Sequence, residues 1–434
     1  MIRVEPPETS PPQPDIDSEY DVVIIGAGPA GATAGALLAE HGRKTLILER
    51  AIFPRFHLGE SLIPETYWSL ERLGLLDELR KSAFPKKFSV QFVSDGHKIS
   101  APFYFDQHNP HECSQTWQVE RGPFDKMILD KAISNGATAH TEAQVLDVLF
   151  EGDQAVGVKV KIGKGQTSET REIAAKVVID ATGQSAFLAN RLGLLKKDDR
   201  LQKGTIWSYF RGAVRDTGVD EGATIIMQTA GKKSWFWYIP LPDDIVSVGC
   251  TGSMNFLFGQ NRGTPEEIFQ EELSRCPAMQ DRLEPSEPHT DYFTTKDFSY
   301  RASQAAGPGW VIIGDAFGFI DPVYSSGVFL ALKSGELAAD AIHAAIEQND
   351  VSQAALSGWV PGYAAGLELF RKLVYAFYTP GFSFGKFLKE FPQYRENLVD
   401  ILIGNVFRPG VGEMFDHLED VVPPSDIVEE SVSG

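Results

Sequence analysis

Residues 21–25 (DVVII) form a short run of apolar, mostly β-branched positions, the mark of a strand buried on both faces in a parallel sheet. GAGPAG follows at 26–31, residues 32–41 continue as an Ala- and Leu-rich helix, and residues 44–48 (KTLIL) predict a second strand that ends at Glu49. A helix bearing Leu70, Leu73 and Leu75 is predicted within 53–80, and alternation of apolar and polar positions predicts strands over 88–92 and 97–105. A helix over 124–134, strands with a turn over 141–162 and a buried strand at 177–181 come next. The span 205–248, rich in aromatic and β-branched residues, predicts a second, mostly antiparallel sheet. Residues 310–314 (WVIIG) predict the last strand of the first sheet, leading through Asp315 and an Asp321-Pro322 turn into a helix over 327–345; 362–400 is largely helical and aromatic.

Composition narrows the classes. The chain has 434 residues with a formal net charge of −19, and a surface this acidic repels phosphate backbones, so no nucleic-acid partner is expected. Three cysteines (Cys113, Cys250, Cys276) show neither metal-ligand spacing nor a disulfide framework, which fits a reducing, cytoplasmic location and no metal site. Residues 1–20 are Pro-rich and acidic rather than signal-like, and no apolar run reaches membrane-spanning length.

The order strand, glycine turn, helix, strand, acid separates a dinucleotide fingerprint from a chance match. Gly26 permits the tight turn, Gly28 lets the backbone approach a pyrophosphate, and Gly31 allows close helix–strand packing, with Pro29 and Ala30 completing the loop. The helix start offers free N–H groups and a positive dipole end. Glu49, 18 residues beyond Gly31, is placed to accept from ribose hydroxyls, with Arg50 beside it. An acid here favours FAD or NAD over NADP. The fold expected is α/β: a Rossmann-type FAD-binding platform of the glutathione-reductase or aromatic-hydroxylase kind, with an inserted antiparallel substrate-side sheet and a helical C-terminal region. The expected division is a flexible 1–19; an FAD-binding domain from 20–85, 118–195 and 290–350; a substrate-side sheet from 86–117 and 196–289; C-terminal helices over 351–415; and an acidic tail at 416–434.

With GAGPAG, FPRFHLGESLIP, DATG, SWFWYIP and GDAFGFIDPVYSSG on the page, the chain resembles the flavin-dependent halogenases of the phenol, pyrrole and alkyl type over about residues 20–350. The glycine loop, DATG and the GD motif are shared with aromatic monooxygenases and geranylgeranyl reductases, so they point to FAD and not to one reaction. The sharper matches are Trp235 to Pro240, which fits WxWxIP, and Lys87. In this family reduced FAD, oxygen and a halide give hypohalous acid, which travels a tunnel to a lysine beside the substrate. The resemblance places that lysine at Lys87, the motif indoles at Trp235 and Trp237, and the halide against Ser326 and Gly327. It also places Arg55, Ser61, Arg121, Gly314, Asp315 and Pro322 around noncovalent FAD, with Glu60 beside Ser61 and with Arg301 standing where relatives that bind FAD covalently carry an acid.

The implied partners are a separate flavin reductase and a small aromatic or carrier-tethered substrate; the sequence carries no signal for oligomeric state. Plainer readings stand beside these. Lys86 and Lys87 also fit a solvated strand edge, Trp235 and Trp237 an aromatic core, and Arg121 a surface ion pair; the C-terminal helices, with Tyr375, Phe377, Tyr378, Phe382 and Phe384, fit a cover over the substrate pocket and ordinary scaffold packing equally. Hydroxylation, isoprenoid reduction and flavin binding without turnover remain alternatives to halogenation.

Overall fold

The computed structural model describes residues 13–96, 98–163, 165, 168–259, 262–296 and 298–418. Most of the N-terminal segment and of the acidic tail, and also Asp297, lie outside the described residues.

The apolar run near the start forms strand Glu19–Ile25, parallel to Thr45–Leu48 on one side and to Glu169–Asp180 on the other. Thr138–His140 and Trp310–Ile312 extend the parallel set outward. Side chains of the first strand divide between two cores because successive residues point to opposite faces. Val22 and Ile24 pack with Ala34, Leu38 and the helix Gly327–Glu347, whereas Val23 and Ile25 join the core that reaches the second sheet. Each of these four buries a side chain contributing about 1.5–3 kcal/mol, so the strand is fixed from both sides.

The second sheet is antiparallel from Lys203–Arg211 through Ile245–Ser253 and Ser234–Pro240 to Thr224–Gln228, where Ser89–Val93 adds in parallel. Its two faces read off one strand: Trp235, Trp237 and Ile239 join the core shared with the first sheet, and Phe236 and Tyr238 pack with Phe269 and Met279. Lys86–Lys87 belongs to neither sheet and forms its own ribbon with Thr116–Trp117.

Several elements differ from expectation. The helix expected within 53–80 is two short helices, Thr66–Arg72 and Leu76–Lys81, broken where Gly74 takes a positive φ of 69°. The helix expected from 124 starts at Arg121, so a residue assigned to the cofactor stands in its first turn. The C-terminal region forms Val360–Tyr378, Phe384–Glu390 and Arg395–Ile403, and the 3₁₀ helix Val411–His417 buries Met414 and Phe415. Residues 416 and 417 are thus part of a packed turn and not of a loose tail.

Candidate active site

A cavity of about 680 Å³ runs from the glycine loop to the second sheet. At the loop end, Gly26 takes φ +103°, and a Cβ there would stand 2.5 Å from the Ala181 carbonyl oxygen. A Cβ on Gly31 would meet the Gly26 carbonyl oxygen at 2.1 Å, so this glycine packs helix on strand and does not line the cavity. Gly28 does line it, and a Cβ there would project into open space with only Arg55 Nη2 in reach, at 3.4 Å. The helix Pro29–Glu40 has no side chain capping its start, which leaves its first N–H groups directed at that floor. Glu49 closes the loop end, accepting from the backbone N–H of Ala27 at 3.0 Å and of Ala51 at 2.8 Å.

Positive charge enters midway. Asp125 is fully buried and holds Arg121 through Nε–Oδ1 at 2.7 Å and Nη2–Oδ2 at 3.0 Å, with Arg55 at 3.2 Å. Arg121 is therefore a buried, positioned cation and not a surface ion pair. Asp315 faces it across the cavity, half-buried, its carboxyl pushed up to about 7 by burial against the pull of Arg121. A glycine floor, an uncapped helix start, a buried acid at the end of the second strand and two oriented guanidiniums fit the anionic and hydroxyl-bearing parts of FAD.

The far end is walled by Trp207, Thr224, Ile226, Trp237 and Ile239 and by the turn carrying Pro322, Ser325 and Gly327. Trp237 lies in the wall because Gly249, opposite it on the neighbouring strand, leaves room for the indole. Its Nε1 donates to Ser247 Oγ at 3.1 Å. Trp235 stands behind it, ring centroids 6.2 Å apart, and donates to the Tyr378 hydroxyl at 2.9 Å. That hydroxyl donates to Asp321 Oδ2 at 3.0 Å, so the C-terminal helix reaches the turn itself. Asp321 Oδ1 accepts from Val323 N–H, and burial pushes its carboxyl up to about 6. Ser326 is buried beside the turn; Ser325, held at φ +56°, is the serine that lines the cavity.

Lys87 is 2% exposed, whereas Lys86 is exposed, which excludes the solvated pair. Its Nζ donates to Ser61 Oγ and to the Leu62 carbonyl, both at 2.9 Å, and lies 5.6 Å from the Phe105 ring. Burial alone pulls its ammonium down to about 7. Lys87 does not line the cavity; Ser61 does, and Ser61 Oγ also meets Thr224 Oγ1 at 2.8 Å. One serine thus separates the cavity from the lysine. On the lysine's side Phe105 packs with Val399, Ile403 and Phe103.

Most assigned residues therefore converge: Gly26, Gly28, Pro29, Ala30, Glu49, Arg50, Arg55, Ser61, Arg121, Asp315, Pro322, Gly327 and Trp237 line one cavity. Gly31, Gly314, Trp235, Lys87 and Ser326 stand behind its wall. Sequence reading missed Asp125, although its i,i+4 spacing from Arg121 was a usable signal. It also missed Tyr209 and Thr224, which no local pattern marks, and placed Tyr378 only on an aromatic helix without its tie to Asp321. Asp180 caps its own turn by accepting from Thr182 and Leu188 N–H, a structural role. His57 is exposed, with its ring at the Leu58 carbonyl. Among the described residues no cluster fits a metal ion, and no helix is long and apolar enough to cross a membrane.

The chain matches the family model "FAD binding domain" over residues 19–347. It is similar to the 1H-pyrrole-2-carbonyl-(peptidyl-carrier protein) chlorinase of Pseudomonas fluorescens, at 32% identity over 94% of each chain. It is also similar to the corresponding brominase of Pseudoalteromonas luteoviolacea, at 32% identity over 89% of this chain and 92% of the relative. Among solved structures, the flavin-dependent brominase Bmp2 superposes with a TM-score of 0.82 at 28% identity, covering 93% of this chain and 98% of that one. The myxobacterial chondrochloren halogenase CndH superposes at 0.78 with 28% identity, over 95% of this chain and 99% of its own.

Proposed function

The chain belongs to the flavin-dependent halogenases, FAD-dependent enzymes, and from that membership we propose that it oxidises chloride or bromide and places the halogen, in exchange for a ring proton, on an electron-rich ring tethered to a carrier protein, with Lys87 presenting the oxidised halogen. When bound, reduced FAD would supply two electrons toward the reduction of oxygen, the halide supplying the other two as it becomes hypohalous acid, with water as the second product. The chain's own residues do the rest. Arg55 and Arg121, oriented by Asp125, hold the cofactor's anionic middle, while Gly28 and the helix start receive its phosphates. The N–H groups of Ser326 and Gly327 and those that follow at the opening of the helix Gly327–Glu347 offer the halide its donors, which suits a small anion of either kind. Trp237 and Ile239 exclude water from the far end.

The observation that carries the reading is Lys87 itself. A buried amine whose pKa is drawn to about 7 can donate a hydrogen bond to a hypohalous oxygen or act as a nucleophile toward halogen, and its attachment to Ser61 keeps it one side chain from the flavin cavity. The aromatic and aliphatic wall of Phe103, Phe105, Val399 and Ile403 on its other side suits a flat ring. The carrier-tethered substrate class follows from the two full-length relatives that act on pyrrole-2-carbonyl carriers. In this reading reduced FAD comes from a separate flavin reductase.

The test is to incubate the protein with FAD, a flavin reductase, NADH, oxygen and chloride or bromide, offering pyrrole-2-carbonyl carrier thioester beside free pyrroles and phenols. Mass spectrometry should find halogenated carrier-bound product that disappears in Lys87→Ala. Hydroxylated product, or halogenation untouched by that substitution, would sink the mechanism. Halogenation of the free rings alone would overturn the carrier assignment.

A further inference from the structure

Three carboxyl groups line the cavity beyond the loop: Glu60, Asp315 and Asp321. Both oxygens of Asp321 are engaged, by Val323 N–H and the Tyr378 hydroxyl. Asp315 is only half-buried and faces the Arg121 charge. Glu60 differs from both. It is 3% exposed; Oε1 accepts from the Tyr209 hydroxyl at 2.6 Å, and Oε2 is buried with no hydrogen-bond partner among the described residues.

No full charge bonds this carboxyl. Arg121 is committed to Asp125 and to the Leu58 and Gly59 carbonyls, and Arg55 shares Asp125. Lys87 lies beyond Ser61 and donates elsewhere. Asp315 and Glu60 both act on Arg121, and His57, three residues before Glu60, is exposed. From the second sheet the hydroxyls of Tyr209 and Ser247 act on Glu60, and both favour its ionised form.

Halogenation as proposed above consumes a proton. Reduced flavin gives two electrons and two protons, the halide gives two electrons on becoming the halogen of the product, and the substrate gives up one proton. For both atoms of oxygen to leave as water, one further proton must enter. We infer that Glu60, a cavity-lining acid held through Oε1 by the Tyr209 hydroxyl, delivers this proton into the cavity and is reprotonated from solvent between turnovers. The inference rests on the halogenation reading. Burial raises the carboxyl to about 7, with Tyr209 and Arg121 opposing, so the acid is present at neutral pH and its conjugate base is not prohibitively costly. A neutral Glu60 also spares an incoming halide the repulsion of a carboxylate in a low-dielectric site.

The experiment compares wild type, Glu60→Gln, Glu60→Asp and Tyr209→Phe as FAD-loaded proteins. The absorption spectrum of bound oxidised FAD is titrated across neutral pH, and halogenated product and halide KM are measured over the same range. The wild-type-minus-Gln difference should show a single proton step near pH 7; Asp315, present in both proteins, cancels. Tyr209→Phe should move that step upward, since its bond favours the ionised form. Product formation should fall roughly a hundredfold in Glu60→Gln, FAD affinity should hold, Glu60→Asp should recover part of the rate, and halide KM should rise with pH only where residue 60 ionises. A Glu60→Gln protein that keeps the wild-type rate and pH profile overturns the assignment while leaving the halogenation reading intact. Absence of halogenated product from every protein, wild type included, overturns both.

Discussion

The two ends of the cavity are built in different ways. The glycine-loop end comes from one contiguous stretch, Glu19–Ile25 through Glu49, and most of what it offers a ligand is backbone: N–H groups of an uncapped helix and space left by absent side chains. The far end is made of side chains from six places in the chain, with Glu60, Lys87, Thr224, Trp237, Asp321 and Tyr378 joined by hydrogen bonds or by a shared wall. A backbone site tolerates changes of side chain and fails when bulk is added. A side-chain site fails one atom at a time. The first end is common to FAD proteins with many chemistries, and the second is where this reaction has to be specified.

The sharpest way to separate the ends is Lys87→Ala. Halogenated product should fall by roughly 10²–10⁴-fold, while FAD affinity measured by fluorescence quenching should not move, because Lys87 does not line the cavity. Loss of FAD binding in this variant would show that the two ends are one cooperative unit and erase the contrast.

Next in size is Gly31→Ala at the other end. Its new methyl would stand 2.1 Å from the Gly26 carbonyl oxygen and 3.0 Å from Ala181 Cβ, both parts of the tightly packed strand–helix junction. Overpacking of this kind costs about 1–3 kcal/mol, so FAD affinity should drop by about tenfold or more and thermal stability should fall with it. Any enzyme that still loads FAD should halogenate at an undiminished rate per bound flavin.

The same division explains what was legible in the sequence. GAGPAG with Glu49 could be read because spacing along the chain and arrangement in space are the same thing there. Trp235 and Trp237 share a face because a strand alternates, but only the fold shows that Gly249 brings Trp237 into the cavity wall while Trp235 turns to Tyr378. Lys86 and Lys87 are adjacent and chemically identical. Which one is buried depends on a two-residue ribbon with Thr116–Trp117, a partner no local pattern announces. In the sequence Tyr209 is one member of an aromatic sheet and Tyr378 one of an aromatic helix; their hydroxyl contacts with Glu60 and Asp321 are long-range and leave no trace in spacing.

A third measurement reads the burial of Lys87 directly. Its folded-state pKa, about 7, lies below the ordinary 10.5, so between these values the unfolded chain binds a proton that the folded chain does not. Stability then rises with pH across that window, at about 1.4 kcal/mol per unit from this group. Lys87→Met lacks the group, so wild type should gain on the variant as pH is raised from neutral toward 10 in parallel denaturant titrations. A gap independent of pH would mean that Lys87 stays charged when folded, and the amine chemistry assigned to it would lose its basis.

The smallest effect expected is from Tyr378→Phe, and it asks whether the C-terminal helix belongs to the far end or only covers it. The substitution keeps the ring, and with it the contact to Phe377 and the Lys203 ammonium 3.7 Å from the ring centroid. It removes one hydroxyl that accepts from Trp235 and donates to Asp321. Asp321 still accepts from Val323 N–H, and Lys203 still favours its charge, so the turn should hold. The Trp235 N–H loses its acceptor in a buried place, which costs about 1–3 kcal/mol at most. The expected result is a modest fall in melting temperature with turnover within about fivefold of wild type, equivalent to about 1 kcal/mol. A loss comparable to that of Lys87→Ala would instead place the helix among the elements that set the chemistry, because the Tyr378 hydroxyl joins it to the cavity wall both through Asp321 and its turn and through Trp235 behind Trp237.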